Sequence, residues 1–258
     1  MDAIVTAGGI PAPGEPLYPY TQGQNKSLLD VAGKPMVQWV LDALDAAKKV
    51  ENILVVGLPE NSGITGAKIQ GFLPNAGSML HNIRAGMLKL AEMNPQASHA
   101  LTVSADIPAI TGEMVDWVIE TTLDSDLDIY YNIITREVME ARFPESRRSY
   151  IHLRNMDVCG GDMNVIRTMT ATENDVLWEY IFAARKSALK QASLLGWDTL
   201  LLLLLRRISI DKGIEMATRR LNITGKVLVC PYAEVGLDID KPHQLEILRA
   251  DLARQAAD

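Results

Sequence analysis

The chain has 258 residues, 48% hydrophobic and 22% charged, enough to bury the core of one larger α/β domain. Its net charge of −7 argues against a nucleic-acid partner, which calls for a basic footprint. Cys159 and Cys230 form no metal-type pair or disulfide framework, and the four histidines lack zinc-ligand spacing.

Residues 3–7 read as a buried strand that runs directly into Gly8-Gly9. Residues 10–25 are rich in Pro, Gly, Tyr and Gln and carry no period, so a long loop is predicted, of the kind that forms lids or binding surfaces. Met36, Val37, Val40, Leu41 and Leu44 then predict a helix, with Pro35 in its first turn. Residues 53–57 are the next strand. A helix is predicted over 78–90, with Leu80, Ile83, Met87 and Leu90 on one face. The apolar run 100–105 is a core strand that ends in Asp106-Ile-Pro108. A helix over about 111–122 and a strand over 129–134 follow.

Residues 135–165 are charged and read as irregular, an acceptor-side insertion over a cleft rather than an independent domain. A helical stretch is predicted over roughly 173–221, broken near Gly196 and Ser209. Within it the leucine run 194–205 is too short for the roughly 20 residues that span a bilayer, and Asp198 interrupts it. It reads as a buried helix, with an interfacial or partner-binding helix as the alternative. Residues 227–230 are the last strand, and Pro242 opens a terminal helix carrying Leu245, Leu248 and Leu252. No charged and apolar leader pattern opens the sequence, so a cytoplasmic protein without a transmembrane segment is expected. Strand–helix alternation predicts one α/β domain over 1–258: a doubly wound, mostly parallel sheet with helices on both faces, Rossmann-like in plan.

Ligands of such sheets bind at the carboxyl ends of the strands, where Asp106 falls. Gly8 and Gly9, without Cβ atoms, let backbone N–H groups approach phosphate oxygens, although a plain tight turn reads the same way. Lys26 returns from the loop toward that turn, where it could neutralise a triphosphate or simply be solvated. Ser78 also suits a helix N-cap. The Gly160-Gly161-Asp162 turn can be a surface turn, and Arg147, Arg148 and Arg154 upstream could bind a ligand phosphate, although a solvated charged loop is the favoured reading. Asp238 and Asp240 project to one side if their backbone is extended; Asp240 could instead cap the terminal helix.

Taken together, Ala7-Gly8-Gly9, Lys26-Ser-Leu-Leu, Gly33-Lys34-Pro35, Asp106-Ile-Pro108 and Asp238-Ile-Asp240-Lys-Pro242 resemble the GT-A-type nucleotidyltransferase superfamily, in its MobA-like NTP transferase branch. The resemblance covers the N-terminal half and the last twenty-odd residues. It implies transfer of a nucleotidyl group from an NTP to a phosphorylated small-molecule acceptor, with pyrophosphate released and Mg²⁺ required. It further implies Lys26 and Asp106 as catalytic residues. Ala7, Gly8, Gly9, Lys26, Asn75, Gly77 and Ser78 would bind nucleotide, and Gly160, Gly161 and Asp162 the acceptor. Asp106 would hold the metal with Asp238 or Asp240, between which the sequence does not choose.

One departure stands out: the superfamily's first loop carries an arginine, and no arginine precedes Lys26 here. A non-catalytic nucleotide-binding or sensing protein on the same fold is therefore the main rival. A GT-A glycosyltransferase is a second rival, but it would show Asp-x-Asp in mid-chain, where this sequence has Asp106-Ile-Pro108. The base, the acceptor and the oligomeric state, a homo-oligomer included, are not assigned by the sequence.

Overall fold

The structure is a computed structural model and describes residues 1–173, 178 and 209–255. The predicted leucine-rich helix over 194–205, with most of the helical stretch around it, lies outside the described residues.

Strand β1 (Asp2–Thr6) is flanked by two parallel neighbours, β4 (Ile53–Val56) and β6 (His99–Ser104), and β5 (Ile69–Leu73) extends the sheet beyond β4. These strands are apolar because both of their faces are covered. The alternation of side chains divides them between two cores. Ala3, Val5, Val55, Leu101 and Val103 face helices α2 (Met36–Ala46), α4 (Gly112–Glu120) and α8 (Pro242–Gln255). Ile4, Leu54, Val56 and Ala100 face α3 (Met79–Met93), which contributes Ile83, Met87 and Leu90. Helices on both faces make this the doubly wound α/β plan that the sequence predicts.

On the far side of β6 the pattern changes. Strand β10 (Met163–Arg167) pairs antiparallel with both β6 and β7 (Ile129–Thr135), and β11 (Gly225–Val229) runs parallel to β7 on its other side. Strand β9 (Asp157–Gly160) also pairs antiparallel with β7, and Ile133 has partners on both sides, Gly160 and Val229. Hence β9 and β10 are one run of chain beside β7, interrupted at Gly161–Asp162, and β8 (Ile151–His152) borders β9. The sheet remains mostly parallel, with β9 and β10 reversed.

Several expectations need correction. The segment 135–165 is not irregular: it holds α5 (Arg136–Arg142), β8, β9 and the start of β10, which is threaded into the sheet. Pro35 does not sit in the first helical turn. It is the residue before α2, and it pairs with Asp30 in a two-residue hairpin of β2 (Asp30–Val31) and β3 (Lys34–Pro35). The loop after Gly9 contains a single helical turn, α1 (Tyr18–Thr21). The remaining described helices are α6 (Met169–Glu173) and α7 (Ile210–Leu221). Among the described residues, no helix is long and apolar enough to cross a membrane.

Candidate active site

The site follows the carboxyl edge of the sheet from β4 to β7. At one end, the glycine turn after β1 is fixed by close approach. Gly57, at φ +107°, follows β4, and a Cβ there would lie 2.4 Å from the Cα of Gly8. A Cβ on Gly8 would meet the Asn82 amide at 2.5 Å and Asn75 Oδ1 at 2.7 Å. Three asparagines complete the turn. Asn25 Nδ2 donates to the carbonyls of Ala7 (2.6 Å) and Gly57 (3.2 Å), bridging the ends of β1 and β4. Asn75 Nδ2 donates to Gly8 O at 2.8 Å, while Asn82 Oδ1 accepts from the Ala76 N–H at 2.7 Å. Beside them a cleft of about 600 Å³ opens between Pro59, Glu60, Gln70, Phe72 and Asn75.

Of the residues expected here, Asn75 and Gly77 are brought to the turn, with the Gly77 N–H donating to Asn75 Oδ1 at 2.9 Å. Ser78 is used as the N-cap of α3: its hydroxyl accepts from the His81 N–H at 3.3 Å and lies 2.7 Å from His81 Nδ1. Asn25 and Asn82 are functional candidates that the sequence reading missed. Their signal was weak, since an asparagine that bonds across 18 or 32 residues looks like any loop asparagine.

Lys26 reaches the edge because its N–H donates to Gly9 O at 2.8 Å, closing the long loop back onto the turn. Its ammonium then extends to the carboxylates, 2.7 Å from Asp106 Oδ2 and 2.6 Å from Asp240 Oδ1, with the Ile239 carbonyl at 3.3 Å. Burial disfavours the charged form of Lys26, but Asp106 and Asp240 outweigh it and raise its pKa above the ordinary lysine value.

Asp106 lies two residues beyond β6 and is 8% exposed; its Oδ1 is buried without a hydrogen-bond partner. The Asp106 carbonyl accepts from the Ile239 N–H at 2.9 Å, which fastens the late acidic loop beside it. That loop is also held from behind. Arg142 of α5 pairs with Glu234 at 2.8 Å and with Asp251 of α8 at 2.6 Å. Gln244 Oε1 accepts from the N–H groups of Asp240 (2.9 Å) and Lys241 (2.8 Å) at the start of α8. Gln244 therefore does the capping, and the Asp240 carboxylate faces Lys26.

One oxygen from each of Asp106, Asp238 and Asp240 lies within 4.8 Å of the others. Oxygens on opposite sides of a Mg²⁺ ion are about 4.2 Å apart, which is close to that limit. Hard carboxylate donors and the unpartnered Asp106 Oδ1 both fit such a cation. Burial lifts the Asp238 carboxyl to about 7; Arg148 opposes the shift, and Asp106 and Asp240 add to it. Burial acts on Asp240 in the same sense, but Lys26 outweighs it and holds that carboxyl below its usual range.

Across the cleft, the break between β9 and β10 turns Asp162 into the site. The Gly161 N–H donates to Asn132 O, and the Asp162 backbone carbonyl accepts from the Ser104 N–H at the end of β6. Strand interruptions of this kind re-aim a side chain. Burial, with Asp106 and Asp238 nearby, pushes the Asp162 carboxyl well above its usual value, and its Oδ2 is buried without a hydrogen-bond partner. Arg148 is not part of a solvated loop. Its side chain is 17% exposed and pairs with Asp238. It is the second cation of the site, where the sequence favours a solvated loop for the whole Arg147, Arg148 and Arg154 cluster and offers phosphate binding only as the alternative.

A glycine turn, a lysine and converging carboxylates thus gather at the carboxyl edge of a doubly wound sheet. The profile of the MobA-like NTP transferase domain matches residues 5–220. The chain belongs to that family and is a nucleotidyltransferase. A hypothetical transferase from Thermus thermophilus is 34% identical, with a TM-score of 0.81 over 95% of this chain and 98% of that one. CMP:2-keto-3-deoxy-manno-octonic acid synthetase, solved with CTP, shares the fold at 16% identity and a TM-score of 0.58, covering 98% and 99% of the two chains. So does 4-diphosphocytidyl-2C-methyl-D-erythritol synthase from Anaerococcus prevotii, at 11% identity, 97% and 95% coverage and a TM-score of 0.56. No curated protein matches the sequence.

Proposed function

We propose that the protein transfers a nucleotidyl group from an NTP to a phosphorylated small-molecule acceptor and releases pyrophosphate, with Mg²⁺ as cofactor. The observation that carries this reading is the convergence of Asp106, Asp238 and Asp240 around the ammonium of Lys26 beside the glycine turn. The base occupies the cleft beside Asn75, and the triphosphate lies along Ala7, Gly8 and Gly9. The acceptor enters from the side of Gly160, Gly161 and Asp162. An oxygen of the acceptor's phosphate attacks the α-phosphorus, the bond to the β-phosphate oxygen breaks, and its electron pair leaves with pyrophosphate. A phosphate oxygen is already ionised at neutral pH, so no general base is needed. That suits a site built of carboxylates, a lysine and an arginine.

Asp106, Asp238 and Asp240 would hold the magnesium ion, which supplies neutralising charge at the phosphates. Lys26 adds positive charge where the negative charge builds up. Arg148 stands on the acceptor side and supplies the second fixed cation in a chain whose first loop has none. The two synthases reported above are named for cytidine-containing small-molecule products, which supports an acceptor of that size. The test is pyrophosphate release from ATP, CTP, GTP and UTP with Mg²⁺ and a panel of sugar and polyol phosphates. One pairing should turn over. A Mg²⁺-dependent rise in melting temperature with an NTP, but no release with any acceptor class, would favour the non-catalytic reading.

A further inference from the structure

The carboxylates suited to a divalent cation already hold a cation, and it belongs to the chain. Lys26 Nζ sits 2.7 Å from Asp106 Oδ2 and 2.6 Å from Asp240 Oδ1, and it also contacts the Ile239 carbonyl at 3.3 Å. A Mg²⁺ ion bound by the same two carboxylates would need their oxygens at about 2.0–2.1 Å. An ammonium bridging those oxygens stands in that position, and the two positive charges repel at such range. The lysine stem also has a second place to go. It lies along the glycine turn, with Cε 3.0 Å from where a Cβ of Gly9 would be. Rotation about its terminal bonds would carry the ammonium away from the carboxylates toward that turn, while the Lys26–Gly9 hydrogen bond holds the backbone in place.

We propose that Lys26 is a resident latch: in the free protein it fills the cation position, and it must swing to the nucleotide's phosphates before a divalent ion can enter. The inference rests on the reading of these three aspartates as the metal site. It adds a rule for loading that site. Metal alone binds poorly, because it must displace the ammonium into solvent. Nucleoside triphosphate alone binds poorly, because Lys26 must leave two carboxylates that then repel each other. Bound together, each removes the other's obstacle. Such coupling is reciprocal: the factor by which the nucleotide tightens the metal is the factor by which the metal tightens the nucleotide.

The test is Mn²⁺ binding to the full chain without nucleotide, by calorimetry or by loss of the free-ion paramagnetic signal. Wild type is compared with Lys26→Met and Lys26→Gln, two variants that remove the ammonium and keep much of the stem. Lys241→Met, which removes a nearby exposed charge, is the control. Removal of the latch should tighten Mn²⁺ binding by about tenfold or more in both Lys26 variants, with a far smaller change in the control. The same nucleotide-free affinity in wild type and both variants, while NTP still recruits Mn²⁺ to wild type, would overturn the latch and leave the metal site standing. Equal tightening by Lys241→Met would reduce the effect to general charge and overturn the latch as well. Absence of Mn²⁺ binding in every variant, with or without NTP, would overturn the metal site itself. If one Lys26 variant is lost to carboxylate repulsion, the other decides the outcome.

Discussion

Around the glycine turn the holding groups are neutral: Asn25, Asn75 and Asn82 bond to backbone, and Gly57 presses against Gly8. Across the cleft the holding groups are charged, with Asp106, Asp162, Asp238 and Asp240 facing Lys26 and Arg148. A neutral network is insensitive to salt and pH and fixes one geometry. A charged one, with two cations set against four carboxylates, changes with protonation and with bound ions. Under the proposed function, the nucleotide side is thus a rigid mould and the reacting side a set of charges that responds to what is loaded.

The largest effect should come from Asp106→Asn. Loss of one charged ligand beside the phosphates should lower turnover by about a thousandfold, read as pyrophosphate release at equal Mg²⁺. The chelated protein should still melt cooperatively, at a lower temperature than wild type, because the amide fits the same space but leaves the buried Lys26 ammonium with Asp240 alone. Turnover at the wild-type rate would remove Asp106 from the reacting side.

Gly57→Ala attacks the mould. A Cβ at φ +107° and 2.4 Å from Gly8 Cα should cost about 2–4 kcal/mol in a urea titration. The loss should be equal at low and high salt. A salt-dependent loss would mean that charge reaches the nucleotide side too.

The smallest effect concerns pH. With its folded pKa near 7 and its ordinary value at 3.8, Asp238 stays protonated in the folded chain where the unfolded chain has ionised. Its contribution to stability is complete below about pH 4 and disappears as pH rises toward 7. Asp238→Asn never ionises. In chelator, the stability of the variant relative to wild type should therefore increase by roughly 1–3 kcal/mol between pH 5 and pH 8. A flat difference would show that Asp238 is ionised throughout.

Much of the parallel half was legible in the sequence. The apolar runs of β1, β4 and β6 and the periodic stripes of α2, α3 and α4 report local burial, and the structure places them within a few residues of expectation. Strand β5 was not visible: Gly71 interrupts its apolar residues, and it lies at the sheet edge. The β9–β10 run was hidden for another reason. Its interruption at Gly161–Asp162 splits one long strand into two short, polar-flanked pieces that resemble turns. Asp106, Asp238 and Asp240 could be selected from the sequence because each stands beside an apolar strand or a proline-led helix. Arg148 could not be told apart from Arg147 and Arg154, since what distinguishes it is a partner 90 residues away.

The closure of Lys26 onto Gly9 has an evolutionary side. Residues 10–25 leave and rejoin the sheet at one neck, and the excursion is seated on the body chiefly by Pro11, Leu17 and Thr21, with most of the rest exposed. Doubling the length of a flexible loop costs only about 0.6 kcal/mol in closure entropy. Insertions, deletions and exchanges of sequence can therefore accumulate in this excursion while the lysine at its neck stays in register. The excursion can thus be rewritten without rebuilding the place where, under the proposed function, phosphates are handled.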